Sequence, residues 1–233
     1  VIALVAMTSC NQKEISPFEW NISKYDVVDI KVPDLSGISD NGKEVLNLYR
    51  FAADEVNAIY WKQYFGDKES LLVNLTDTVQ KTFVEINYGP WDRQNGKSFV
   101  EGYTDRAPGA GFYPADITAE EFAAYDNPDK NSPYTLIRRA EDGSLETVWY
   151  HDAYAENIEK IANYLNAAAD ITIKPSVRKY LQSKIEALRT DRYYDSEIAW
   201  LDMNDSKMDL VIGPNEAADD QLMGLKRSYE AFV

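Results

Sequence analysis

One long amphipathic segment constrains the fold of this chain more than any other feature. Between residues 43 and 65, apolar side chains recur every three or four positions, at Val45, Leu48, Tyr49, Ala52, Val56, Ile59 and Tyr60. This spacing places them on one face of a helix, which other parts of the chain must cover. Asp40, Asn41 and Gly42 offer turn and capping groups before the segment, and Gly66 can end it. We therefore expect a long helix within a mostly helical body.

Other segments with the same kind of periodicity predict further helices. They cover residues 68–86 (one or two helices), 118–125, 153–169, a stretch after Pro175, and the last residues from about Asp220. Thr118 and Glu121 form a capping-box pattern, in which the threonine side chain accepts from a free backbone N–H group. Pro175 suits the first turn of a helix, where its missing N–H group would have no partner.

Two regions have the residue pattern of β-strands. The runs TLIRR and LETVWY within residues 134–150 are rich in β-prone residues, and Asp142-Gly143 between them supplies a turn, so they predict a hairpin. Residues 208–213, MDLVIG, predict a short strand. The expected fold class is therefore α+β, a predominantly helical lobe with a small antiparallel sheet. Residues 87–103 contain Gly-Pro and Asn-Gly turns and predict a structural loop in which Asp92 and Arg93 pair.

The composition excludes several kinds of function. The net charge is -15, and a surface of this sign repels nucleic-acid phosphates. Cys10 is the only cysteine and His151 the only histidine, so an internal disulfide is excluded and a zinc site with three or four ligands is not expected in this chain. A Ser-His-Asp triad is not expected either, because no GxSxG motif is present. His151 is expected to act as a cap or hydrogen-bonding residue.

The first ten residues, VIALVAMTSC, have the pattern of the end of a bacterial lipoprotein signal peptide, with Cys10 as the lipidation site. The first residue is not Met and no basic region precedes the apolar run, so we expect the true start to lie upstream. Residues 11–39 are then a tether, and the protein contacts the membrane of the cell envelope only through a lipid anchor. The alternative is a buried strand that ends in a free thiol.

Four blocks, taken in order, resemble the N-terminal part of bacterial relatives of dipeptidyl peptidase III. They are INYGPWDR (86–93), GAGFYPADIT (109–118), the segment around YTLIRRAEDG (134–143) and DLVIGPNEAADDQLMGLKRSYEAFV (209–233). The resemblance covers residues 40–233 and implies part of a lobe of a two-lobed zinc exopeptidase that removes dipeptides from peptide N-termini. The chain ends inside an apolar, helix-like stretch, so we expect that lobe to be truncated here.

The zinc site that the resemblance implies does not lie in this sequence. In that family, the two His of the motif HExxGH and a Glu of a later motif bind zinc. The Glu of HExxGH acts as base on the zinc-bound water. That motif is absent from residues 1–233, so we assign no catalytic residue and no metal ligand, and we expect the motif beyond residue 233. Zinc is thus expected for the full-length protein and not for this fragment.

The resemblance does imply contact with a peptide substrate. The family places an acidic strand and loop near the peptide amino terminus, and the matching segment here is residues 209–216. A carboxylate can pair with a free α-amino group, so Asp209 and Glu216 are the candidate substrate-binding residues. Val211 and Asn215 depart from the family's pattern, which leaves open a relative that has lost the chemistry.

A second interpretation is a non-catalytic envelope lipoprotein that binds peptides or glycans. The 16 tyrosines and 5 tryptophans could supply stacking surfaces for such ligands. Nothing in the sequence indicates an oligomeric state.

Overall fold

The computed structural model of the protein describes residues 17–26, 28 and 34–233. Cys10 and the predicted signal segment lie outside these residues, as does part of the predicted tether, so those expectations stay predictions. Within the tether range, helix α1 (Pro17–Ile22) places the ring of Phe18 6.3 Å from that of Phe83 and 6.2 Å from that of Phe99. No helix in the described part of the chain has the length and apolar character that crossing a membrane requires.

The described residues form a helical lobe with two small sheets, so the predicted α+β class is confirmed. The remaining helices are α2 (Asp40–Tyr64), α3 (Lys68–Val73), α4 (Thr78–Asn87), α5 (Ala119–Ala124), α6 (Tyr150–Ala153), α7 (Ala155–Ile171), α8 (Pro175–Thr190) and α9 (Tyr194–Leu201), with a 3-10 turn at Ala110–Phe112. The strands are β1 (Thr135–Arg139), β2 (Leu145–Trp149), β3 (Val211–Glu216) and β4 (Ser228–Phe232).

Helix α2 is the long helix that the sequence predicts. Its N-cap is Ser39, one residue before the predicted turn, and the Ser39 hydroxyl accepts from the Gly42 N–H at 3.2 Å. Gly66 follows its end with a φ of +135°, and its N–H donates to the carbonyl of Trp61 at 2.9 Å. The face that the periodicity predicted packs against α7 and β4, while α7 packs along α8 and α8 along α9. One continuous apolar core therefore connects α2 with the second sheet.

The two sheets are separate antiparallel pairs. In the first, Thr135 lies opposite Trp149 and the Asp142 carboxylate accepts from the Ser144 N–H at 3.0 Å, so the predicted hairpin is confirmed. In the second, Val211 lies opposite Phe232, with a bulge between Pro214 and Glu216. The strand expected at 208–213 thus occupies Val211–Glu216.

The predicted last helix from about Asp220 is wrong, because the Asp220 side chain organises a loop there. One carboxylate oxygen accepts from the backbone N–H groups of Leu222 (3.1 Å) and Met223 (3.0 Å). The other accepts from those of Leu225 (2.8 Å) and Lys226 (3.0 Å). An Asp side chain that satisfies nearby N–H groups in this way competes with a helix. The chain then leaves the loop extended and pairs with β3.

Candidate functional site

A cavity of about 290 Å³ lies between α2, the loop at residues 88–93 and the β3–β4 sheet. Asn57, Arg93, Glu216 and Glu230 line it with charged and polar groups, and aromatic and small apolar side chains line the remainder. Small-molecule sites in proteins occupy about 300–1,000 Å³, so a ligand of this cavity is small, or is the end of a longer molecule. Side chains of both charges therefore face one small volume.

The pairing of β3 with β4 brings two carboxylates together. Gly213 lies opposite Glu230, and Glu216 lies opposite Ser228 across the bulge, so the two glutamates are diagonal neighbours on the sheet. Burial, together with the negative charge of Glu216, raises the pKa of the Glu230 carboxyl group. Two carboxylates that repel each other in a partly buried site are stabilised when a cation binds between them. This wall of the cavity therefore suits a positively charged group such as an ammonium.

The loop at residues 88–93 holds Arg93 on another wall of the cavity. The buried side chain of Asn87 accepts from the Arg93 backbone N–H at 3.0 Å, which fixes the start of the side chain. The guanidinium carbon lies 5.0 Å from the ring centroid of Tyr64 and 5.6 Å from those of Tyr60 and Tyr88. Tyrosine rings at these distances attract a cation through their π faces. Arg93 is thus an oriented positive charge.

Arg93 pairs with Asp219 and not, as the sequence predicted, with Asp92. Its Nη2 atom lies 3.9 Å from Oδ1 of Asp219. The other oxygen of Asp219 accepts from the Ser228 hydroxyl at 2.7 Å, which ties this carboxylate to β4. Asp92 instead accepts from the Gln94 N–H at 2.8 Å, within the turn. The predicted structural loop is therefore present with a different partner for its arginine.

Asp209 lies apart from Glu216. Its carboxylate is exposed, accepts from the Trp200 indole N–H at 2.7 Å, and lines a separate cavity of about 330 Å³. Val211 and Asn215 line a third cavity with Lys184. The departures from the family's pattern are therefore outside the cavity that contains Glu216, and the role of Asp209 stays a prediction.

His151 makes the hydrogen bonds expected of a structural residue. Its Nδ1 atom lies 2.8 Å from Oδ2 of Asp191, and the same oxygen accepts from the His151 backbone N–H at 3.0 Å. Asp191, at the end of α8, is thereby linked to α6. Across the described ranges, no group of three or more His, Cys, Asp or Glu side chains is placed to hold a metal ion. The described residues therefore offer no ligand set for the zinc that the resemblance implies, and the place where zinc binds stays a prediction.

Sequence reasoning named Glu216, which lines the cavity, and did not name Glu230 or assign Arg93 to a cavity. Glu230 lay in residues predicted to form a helix, so the sequence did not predict that it lies near Glu216 on a sheet. The alternation in Ser228–Phe232, which buries Tyr229 and leaves Glu230 partly exposed, was the available signal.

Two solved structures and one curated protein are similar to this chain. The dipeptidyl peptidase III structure from Caldithrix abyssi superposes with a TM-score of 0.84 over 91% of this chain at 33% identity. The dipeptidyl-peptidase III structure from Corallococcus sp. strain EGB superposes with a TM-score of 0.84 over 92% at 28% identity. Nudix hydrolase 3 of Arabidopsis thaliana is 25% identical over 275 aligned positions, which cover 91% of this chain. No protein-family model matches.

The chain spans 42% of the length of either bacterial structure and 35% of the Arabidopsis protein. The resemblance to bacterial dipeptidyl peptidase III that the four sequence blocks predicted is confirmed.

Proposed function

We propose that this chain is the non-metal, N-terminal part of a zinc-dependent dipeptidyl peptidase and that it holds the amino end of the peptide substrate. The observation that carries the proposal is the cavity in which Glu216 and Glu230 lie side by side, in a fold that matches bacterial dipeptidyl peptidase III. A free α-ammonium group carries one positive charge and three N–H donors, and carboxylates are its natural acceptors.

The positive charge at the amino terminus of a peptide is the group that such an exopeptidase must recognise. An enzyme that removes dipeptides must recognise a free amino terminus and place the second peptide bond at the reacting atoms. An ammonium bound by Glu216 and Glu230 would anchor that end of the substrate and fix the register of the chain. Burial and, after it, the negative charge of Glu216 raise the pKa of Glu230, and a bound cation would relieve the repulsion between the two carboxylates.

The chemical step belongs to residues outside this sequence. When bound, zinc would polarise the peptide carbonyl and activate a water molecule, with an HExxGH segment beyond residue 233 supplying ligands and base. We further propose that Cys10 is lipidated and that the protein is held at the cell envelope by this anchor.

The experiment is a peptidase assay on the complete gene product with a dipeptidyl arylamide that has a free amino group. We expect release of the dipeptide, loss of activity when a chelator removes zinc, and a KM raised about 10- to 100-fold by Glu216→Gln, since hydrogen bonds to charged groups contribute on this order. Glu141→Gln, at the exposed hairpin turn, is the matched control and should leave KM unchanged.

Equal kcat/KM values for the Glu216→Gln and Glu141→Gln proteins would show that Glu216 does not hold the substrate. Saturable peptide binding without any turnover would favour the alternative of a non-catalytic envelope binding protein.

A further inference from the structure

The cavity that contains Glu216 and Glu230 also contains a positive charge that an ammonium ligand cannot use. Arg93 lines the same volume of about 290 Å³ from the loop at residues 88–93. A site built only for an amino group gains nothing from a guanidinium, because like charges repel. A second, negatively charged group on the ligand would give Arg93 a partner in this cavity.

The guanidinium of Arg93 is held in position before any ligand binds. Its backbone is fixed by the Asn87 side chain, and the rings of Tyr60, Tyr64 and Tyr88 lie 5.0–5.6 Å from the guanidinium carbon. A charged side chain that is already ordered loses little conformational entropy when it binds a partner. The same rings displace water from around the guanidinium, which strengthens its interaction with an anion.

The ion pair that Arg93 makes with Asp219 is a long one. The contact to Asp219 spans 3.9 Å, which is longer than a hydrogen bond, and the other oxygen of Asp219 is already bonded to Ser228. Guanidinium presents five N–H donors in a planar fork that fits a carboxylate in a two-point contact. Arg93 can therefore bind a carboxylate ligand without first breaking a short ion pair.

We propose that Arg93 is a specificity-determining residue that binds a carboxylate of the peptide whose amino end lies at Glu216 and Glu230. This inference rests on the proposed function of the cavity. The carboxylate has two sources, the C-terminal group of a dipeptide or an acidic side chain near the amino end. In the first case the cavity retains the dipeptide product, and in the second it selects acidic substrates.

The test is isothermal titration calorimetry of the complete gene product, freed of zinc by a chelator so that no amide is cleaved, with dipeptides that differ in one charge. Ala-Ala and Ala-Ala-amide differ only in the C-terminal carboxylate, and Ala-Asp-amide and Ala-Asn-amide differ only in the side chain. We expect the unmutated chain to bind the charged member of at least one pair about 10- to 100-fold more tightly than the neutral member. Arg93→Gln should remove this preference and leave affinity for the neutral member within about twofold.

Two further variants separate recognition from folding. Arg93→Lys retains the charge without the planar fork, so it should retain only part of the preference. Arg50→Gln makes the same change at an exposed arginine that pairs with Asp54, and it should leave every affinity unchanged. A melting temperature close to that of the unmutated chain for Arg93→Lys and Arg93→Gln ensures that the comparison is between folded proteins.

The outcomes distinguish this inference from the proposed function. Equal weakening of both members of each pair by Arg93→Gln, or no preference in the unmutated chain, overturns the role of Arg93. If Glu216→Gln weakens no dipeptide while Arg93→Gln still removes the carboxylate preference, the amino-end function fails and Arg93 stands. If no dipeptide binds saturably at millimolar concentration, both are overturned.

Discussion

Replacing Asp220 with asparagine should destabilise the fold strongly, because this side chain shapes the loop between β3 and β4. The carboxylate is 4% exposed and accepts from four backbone N–H groups as well as from the Tyr113 hydroxyl at 2.8 Å. An amide has one oxygen, so at least two of the four N–H groups lose their acceptor and face an NH2 group. Each buried N–H without a partner costs about 1–3 kcal/mol, which gives a loss of about 2–6 kcal/mol.

Urea unfolding at pH 7, followed by tryptophan fluorescence, measures this loss as a lower urea concentration at the unfolding midpoint than that of the unmutated chain. Asp170→Asn, at the exposed end of α7, is the matched control and should change stability by less than about 1 kcal/mol. The backbone N–H groups lower the pKa of Asp220 although burial acts to raise it. Its contribution is therefore present above the ordinary carboxyl range and is lost as pH falls through the folded-state pKa, so the two proteins should converge in acid. A difference below about 1 kcal/mol at pH 7 would refute this account of the loop.

Two other substitutions test buried contacts elsewhere in the lobe. Lys226→Met leaves the carbonyls of Lys130 and Ser132 and the hydroxyl of Thr135 without the Nζ donor that lies 2.8–2.9 Å away, and it should lower the unfolding free energy by about 3–5 kcal/mol in urea titrations. Burial lowers the pKa of Lys226 to about 8, so above that pH the unfolded chain binds more protons than the folded chain. The free energy of unfolding of the unmutated chain should therefore rise between pH 8 and 9.5. The Lys226→Met protein should lack that rise. In Gly111→Ala, the new Cβ atom would lie 2.6 Å from the carbonyl oxygen of Gln63, so thermal unfolding should show a loss of about 1–3 kcal/mol, whereas Gly37→Ala, with open space around it, should show almost none.

The helices that sequence predicted are those with one buried face. The apolar positions of α2, α7 and α8 repeat with helical spacing because each helix packs along a neighbour. Helix α9 was missed because Tyr194, Ile198 and Leu201 are 77%, 41% and 68% exposed, so its apolar residues do not mark the buried side. The periodicity rule holds where apolar side chains are covered, and it fails where they face solvent.

The candidate site was only partly predictable, because its charges come from distant parts of the chain. Glu216 was named through a family resemblance, and the structure places it in the wall of the cavity, while its role stays a prediction. Its neighbour Glu230 depends on the register of β3 with β4, and that register depends on the loop that Asp220 holds. The position of Arg93 depends on tyrosines of α2, about 30 residues earlier. Local sequence patterns do not contain such long-range placement.

Apart from Val56, which belongs to both, helix α2 presents different residues to the core and to the cavity. Ala52 and Ile59 are fully buried among the core side chains, whereas Ala53, Asn57 and Tyr60 line the cavity. Because adjacent positions on a helix point in different directions, substitutions at the cavity positions leave the core contacts in place. Single mutations on the cavity side of α2 can thus alter the proposed ligand site while the core side of the helix stays unchanged.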